Sequence, residues 1–340
     1  MSTPCDPAAE ALTRFLGFSC HDVNPVASLH WPPHHWSQPI LEVLIVGGAI
    51  FALIHAIQRL RRDGDVTNLV LWFGSLVYLA VTEPPLYFPE WFGLDKIYGF
   101  IFAHNQFTVQ FMYDRLPLYI VAFYPAMTAL AYELVRSFGI FAKRGPAVGA
   151  LCLAFVAQVF YEVFDHLGPT LKWWAWNDAN AQVNHPMFGT VPMNSMVLFA
   201  SVSLAFLTYL VLRLSRLPAV PRAIVAGALT PLGMVIVGIP SGAFQHHVAA
   251  QAWVLGIELA LVWVVGGSLL VRDARGGRTQ PLSAFAAIFP VAFLAVHAVL
   301  WLTAPAVTRG AALYVVACFA AAAVVLRLLY RRQPDVASGA

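Results

Sequence analysis

PAVGALCLAFVAQVFYEVFDHLG, residues 146–168, runs on into PTLKWWAWND, residues 169–178. The first piece can cross a hydrocarbon core about 30 Å thick as a helix, for which roughly 17 to 25 apolar residues suffice. Its far end nevertheless carries Glu162, Asp165 and His166, and three tryptophans follow, Trp173, Trp174 and Trp176. The chain therefore places charge at one end of a membrane helix, and the rest of the sequence must say which end that is.

Comparable apolar runs occur at 39–59, 66–82, 116–137, 192–214, 220–240, 249–271, 282–304 and 311–330. Of 340 residues, 59% are hydrophobic and 11% charged, and the mean hydropathy is +0.70, against roughly a quarter charged in a soluble domain. The pattern predicts an all-α, polytopic membrane helix bundle of nine transmembrane helices. Part of 97–112 is a further candidate for a partial span. Residues 1–38 hold no basic stretch leading into an apolar one, so no cleavable signal peptide is expected and insertion would rely on the first span.

Nine spans divide the Lys and Arg residues fifteen to five. Arg59, Arg61, Arg62, Arg136, Lys143, Arg144 and the basic residues after the fifth, seventh and ninth spans share one side. Arg14, Lys96, Arg115, Lys172 and Arg309 share the other. The positive-inside rule then puts the N-terminus outside and the C-terminus in the cytoplasm of a plasma-membrane protein. The expected organisation is an external segment over 1–38, one transmembrane domain over 39–332, and a cytoplasmic tail over 333–340. Aromatic-rich external loops at 83–115 and 169–191 are expected to pack over the bundle. The net charge of +3 reflects this topology and gives no reason to expect a nucleic-acid partner; the bilayer is the expected environment. An oxidising exterior would permit a Cys5–Cys20 disulfide, while Cys152 and Cys318 read as small core residues.

An ionisable side chain at membrane depth costs about 2.5–3.5 kcal/mol on insertion scales, so each needs a partner, water or a task. Glu42, Glu83, Asp114, Glu162, Asp165, His166 and Glu258 all fall in the predicted external half. Glu258 is the deepest of these, ~13 Å below the boundary at a rise of 1.5 Å per residue. Asp114 beside Arg115, and Glu133 one turn from Arg136, read as structural ion pairs, and Glu42 as a boundary residue. Glu162, Asp165 and His166, at i, i+3 and i+4, share a helix face. Two carboxyls converging there cannot both ionise cheaply, and an acid that keeps its proton is equipment for general acid catalysis. Trp173, Trp174 and Trp176 fit an interfacial aromatic belt, and they also fit a wall that stabilises a carbocation, since indole faces attract cations.

Most histidines lie in the predicted external half, so a metal site assembled from His34, His35, His246 and His247 stays open as a ground for a metal-dependent oxidoreductase. No HExxH, DDxxD, paired CxxC, GxSxG, Walker A or GxGxxG sequence occurs, which removes the usual zinc, hydrolase and nucleotide readings. A proton-coupled transporter or lipid-binding protein is a further alternative. Internal repeats or interrupted helices would favour it, and the sequence displays neither.

Between about residues 80 and 215 the order of features resembles the bacterial integral-membrane carotenoid 1,2-hydratases. The matching positions are Glu83, Asp114, Pro117, Asp165, Trp174, Trp176, Gly189, Pro192 and Asn194. In that family an acid ends a span, a Trp-x-Trp pair follows nine and eleven residues later, and a Gly-x-Pro-x-x-Asn stretch opens the next span. Asp165 stands at those distances from Trp174 and Trp176. His166 replaces the family's proline, the glycine-to-proline spacing is one residue longer, and the proline-to-asparagine spacing is one shorter.

The resemblance implies protonation of an alkene to a tertiary cation, without a cofactor. Combined with the acid and its aromatic neighbours, it leads to the expectation of acid-initiated hydration or cyclisation of a lipophilic isoprenoid or carotenoid-like alkene. Asp165 would donate the proton with Glu162 beside it, and His166 or Glu83 would handle the attacking water. The three tryptophans, Asn177, Asn194 and Asp114 would contact substrate, and Glu258 would be a second acid on the same cavity. Oligomeric state is left open.

Overall fold

The computed structural model describes residues 5–305 and 311–331; Arg309, Arg332 and the 333–340 tail lie outside the described residues. Among the described residues nine helices are long and apolar enough to cross a membrane. In chain order they are Gln38–Asp63, Thr67–Tyr87, Leu118–Ser137, Ile140–Thr170, Met193–Arg213, Ala219–Gly242, Val248–Ala274, Ala284–Thr303 and Ala312–Tyr330. They are called here the first to ninth spans, and they form the all-α membrane bundle that the apolar runs predict.

Local chemistry sets many of the ends. Gly64, at φ 67°, closes the first span by donating its N–H to Leu60 O, the left-handed stop that a side chain would disfavour. Ser283 opens the eighth by accepting from Ala286 N, a serine N-cap. Within the fourth span Gly145 sits at φ 78°, ψ 173°, so the helix proper restarts at Pro146, where a proline at the first turn loses no hydrogen bond.

The third span is the hub, with 89% of its apolar window buried, whereas the sixth and seventh reach only 33% and 28%. The third packs on the first, second and fourth, and the fourth also meets the fifth and ninth. Val235, Ile236 and Ile239 of the sixth span and Trp253, Ile257 and Val264 of the seventh are exposed, as lipid-facing surfaces should be. Close approaches use glycine. A Cβ on Gly227 would stand 2.5 Å from Gly74 O, which fixes the sixth span against the second, the small-residue contact expected between membrane helices. Two wide π turns, Leu198–Ser203 in the fifth span and Val262–Gly266 in the seventh, interrupt the α-helical pattern in a way the sequence does not advertise.

All the long connections gather at one end of the bundle as a cap. It contains a short helix, Pro7–Leu16, and seven short strands: β1 (Ala27–His30), β2 (Phe102–His104), β3 (Thr108–Phe111), β4 (Leu116–Pro117), β5 (Trp174–Trp176), β6 (Met187–Phe188) and β7 (Val191–Pro192). Strand β3 pairs with β1 and β4, β2 pairs with β5, and β6 pairs with β7. The N-terminal segment, the 88–117 connection and the 171–192 connection are thus sewn into one structure, with Cys5 and Cys20 joined by a disulfide. Residues 97–112 supply β2 and β3 and form no tenth span.

Candidate active site

A cavity of about 660 Å³ lies under the cap, within the range of small-molecule sites. Its walls come from the second to seventh spans, the seventh through Gln251, and from β2, β5 and β7. Val81 of the second span and Val235 and Ile239 of the sixth line it and are exposed, as are Ile97, Gln182 and Gln245 at the cap. The cavity therefore reaches the surface along the second and sixth spans, on the cap side of the level where Gly74 and Gly227 press them together.

Two carboxyls face this space. Asp165, 4% exposed, accepts a hydrogen bond from Ser195 Oγ at 3.4 Å. Glu83, 5% exposed, accepts from the Tyr124 hydroxyl through Oε1, and its Oε2 has no hydrogen-bond partner. Trp174, Trp176, Phe123, Tyr161 and Phe164 supply most of the aromatic surface around them. The benzo ring of Trp174 rests on the fourth span at Gly168, where a Cβ would come 2.0 Å from it. Asn194 also lines the cavity, and its Nδ2 donates to Val183 O at 3.1 Å.

The presumed trio of the fourth span divides. Tyr161 and Asp165, four apart, form the stripe that faces the cavity. Gln158, Glu162 and His166 form the next stripe, about 80° around the helix, and point toward the ninth span. Glu162 Oε2 lies 2.9 Å from His166 Nδ1, and Gln158 Nε2 donates to Glu162 Oε1 at 3.0 Å and to the Tyr314 hydroxyl at 2.8 Å. His166 Nε2 donates to Phe188 O at 3.1 Å. Glu162 and His166 are thus absent from the cavity wall, and a role for His166 on attacking water does not fit the geometry.

Other expected contacts also turn out to be scaffold. Trp173 is fully buried behind the site and donates Nε1 to Ser37 Oγ at 2.8 Å. Asn177 donates to Phe100 O at 2.8 Å and holds the loop after β5. Asp114 accepts from Gln106 at 3.1 Å, from Ser28, and meets His30 at 3.0 Å. It secures the β3–β4 turn, where Met112, Tyr113 and Asp114 have φ of 55°, 57° and 57°, a conformation costly for side-chain-bearing residues. Glu42 accepts from Thr108 of β3 and so ties the first span to the cap. Glu258 is half-buried and does not line the cavity; its neighbours Leu255 and Leu259 pack against Met196 and Val197.

The four histidines considered for a metal do not assemble. His34 lies against Phe18, His35 Nδ1 meets Ser37 Oγ at 2.7 Å, and His246 meets Gln245 at 3.2 Å. Among the described residues the one ligand-spaced group is Cys5, Cys20 and His21, and its cysteines are spent in the disulfide.

Tyr124, Tyr161, Ser195 and His104 are wall residues that the sequence reading misses. The first two sit in apolar runs where an aromatic looks like any core residue; the i, i+4 step from Tyr161 to Asp165 is the one signal available. His104, at the end of β2, is 3.1 Å from the Tyr119 hydroxyl, and burial pushes its imidazole from 6.5 down to about 3. The folded cap therefore refuses a proton that the opened cap accepts, so cap stability falls as pH drops through 6.5 and keeps falling toward 3. Hydrogen exchange over residues 100–106, corrected for intrinsic rates, should be faster at about pH 5 than at about pH 7; equal protection at both would contradict this.

The chain matches no family model, and no curated protein or solved structure gives a significant match.

Proposed function

We propose that this protein is a plasma-membrane enzyme that carries out acid-initiated hydration or cyclisation of a lipophilic isoprenoid alkene entering from the bilayer. The observation that carries the reading is the placement of Asp165 and Glu83 on one aromatic-walled cavity that reaches the surface beside the second and sixth spans. Asp165 gives its proton to the less substituted alkene carbon, and the π electrons form the new C–H bond. The tertiary cation left behind sits among Trp174, Trp176, Tyr124 and Tyr161, whose ring faces attract positive charge without bonding to it.

In hydration, water adds to the cation and Glu83, held by Tyr124, takes the proton that water releases. In cyclisation an internal alkene attacks instead, and Glu83 takes a proton from the carbon next to the final cation. In both routes the proton lost by Asp165 is matched by one gained on Glu83, and the site is reset when Glu83 releases a proton and Asp165 takes one up. The charge asymmetry of the loops supports placing the cap and cavity on the external side.

Membranes containing the protein, given acyclic isoprenoid alkenes, should form a product whose mass has risen by one water for hydration or stayed the same for cyclisation. Glu83→Gln should slow this by about 10²-fold or more, as loss of a general base does. Absence of any product from the unaltered protein across such a substrate series would overturn the proposal.

A further inference from the structure

Behind the deep end of the cavity lies a second, smaller space. Phe123, Tyr124, Tyr161 and Phe199 line the cavity and also line a separate void of about 10 Å³, whose other walls are Tyr78, Met127, Ser203 and Leu204. On each span that supplies them, these other walls lie about one helical turn further from the cap than the cavity's own lining. Tyr78 lies inward of Val81 on the second span, Met127 of Phe123 and Tyr124 on the third, and Ser203 and Leu204 of Phe199 on the fifth. The four shared rings therefore form a floor one side chain thick.

The cavity is open elsewhere. It reaches the surface at Val81, Val235 and Ile239 and again at the cap, so a chain longer than the cavity leaves its remainder outside. The floor thus limits the depth of insertion and not the length of the molecule. Asp165 stands one turn above Tyr161 on the fourth span, and its partner Ser195 stands one turn above Phe199 on the fifth, about 6 Å along either axis. Glu83 is held by the hydroxyl of Tyr124, itself a floor residue. An inserted chain end passes the two carboxyls by about one isoprene unit before it meets the rings.

Among the floor residues, Tyr124 is committed to Glu83, and Phe123 stacks on Phe164 at 4.4 Å between centroids and stands edge-on to Tyr161 at 4.9 Å. Phe199 instead belongs to the π turn Leu198–Ser203, a helix distortion that recurs at functional sites. We propose that Phe199 is a specificity-determining residue: with the three other rings it stops the inserted end of an isoprenoid chain and so sets which double bond is presented to Asp165. This deepens the functional reading above and rests on its identification of the cavity as the place where an acid meets an alkene. Phe199→Ala removes a ring of about the bulk of one isoprene unit and joins the void to the cavity, so the chain slides inward by about that unit.

The test uses a squalene-type chain, whose two ends are alike, with a diazirine on each terminal unit. It is photolysed with the protein in nanodiscs, and labelled residues are mapped by mass spectrometry. In the unaltered protein the label should fall on Phe123, Tyr124, Tyr161 and Phe199, and in Phe199→Ala it should move to Met127, Ser203 and Leu204. Leu198→Ala, which enlarges the cavity at a residue that does not line the void, should leave the label where it is. In parallel, the ratio of product altered at the next double bond inward to product altered at the first should rise about tenfold in Phe199→Ala, because one more unit is buried below the acids.

A variant that has lost its fold is recognised by loss of all labelling, and Phe199→Leu is then read by the same criterion. Label that is absent from the floor in the unaltered protein, or that stays in place when Phe199 is shortened, overturns this inference, as does an equal shift in Leu198→Ala; product formed by the unaltered protein would leave the acid chemistry intact. The expected shift in label without any product would support the stop and overturn the acid chemistry. Neither labelling nor product overturns both.

Discussion

Asp165→Asn, inserted in membranes at normal abundance, should lose about 10²- to 10⁴-fold in the rate of product formation, the usual contribution of a positioned general acid. The substitution keeps the shape of the side chain and an oxygen for the Ser195 hydroxyl, which stands 3.4 Å from Oδ2. What it removes is the transferable proton. Glu162→Gln is the informative companion. It lies one turn away on the same helix, but its carboxyl meets His166 at 2.9 Å rather than the cavity. Its effect should fall on the buried network with Gln158 and Tyr314, and so on stability more than on the chemical step. Product formation by Asp165→Asn at the unaltered rate would sink the assignment of the acid. Equal kinetic losses in the two variants would mean that the division of the helix into two stripes has no catalytic meaning.

That division also marks where the sequence stops being readable. The bilayer imposes one length and one polarity on every crossing segment, so the nine spans follow from composition alone. The start of the fourth at 146 even coincides with the break at Gly145. The clustering of acids at one end is equally visible, because charge is expensive wherever lipid surrounds it. Direction around a helix is harder: i+3 and i+4 count as one face in a sequence, yet the two positions differ by about 100°. Asp165 and His166 are separated by that angle and look into different neighbourhoods.

The cap is illegible for another reason. Its strands are two to four residues long and pair across distant segments, so no local alternation records them. Asp114 illustrates the consequence: the order of residues suggests a substrate contact, whereas its bonds to Ser28, His30 and Gln106 show a turn being held in place. Of the nine positions that carry the resemblance to the carotenoid hydratases, Glu83, Asp165, Trp174, Trp176, Pro192 and Asn194 line the cavity, whereas Asp114, Pro117 and Gly189 do not; Tyr124 and Tyr161 have no counterpart in that list.

Arg136→Ala should destabilise the bundle by about 3–5 kcal/mol, the cost of stranding a buried charge. Glu133, 0% exposed, takes Arg136 Nε on one oxygen and Nη2 on the other, both at 2.8 Å. Asn68 donates at 2.9 Å, Ser283 at 3.4 Å, and His55 Nε2 lies 3.2 Å away. These partners come from the first, second and third spans and the start of the eighth, at the end of the bundle opposite the cap. The guanidinium is the permanent countercharge of this node, and alanine leaves the carboxyl to dipoles and one imidazole. Glu133→Gln combined with Arg136→Met removes both charges, so it should recover more than half of the loss, since a neutral pair carries no stranded ion. Unfolding of the detergent-solubilised protein by heat or SDS measures both. Stability of Arg136→Ala equal to that of the unaltered protein, or no recovery in the double variant, would show that the node is held by packing rather than by charge. Because it stands far from Asp165 and Glu83, the fraction of Arg136→Ala that stays folded should keep its turnover, which separates the energetics of holding the helices together from the chemistry carried out between them.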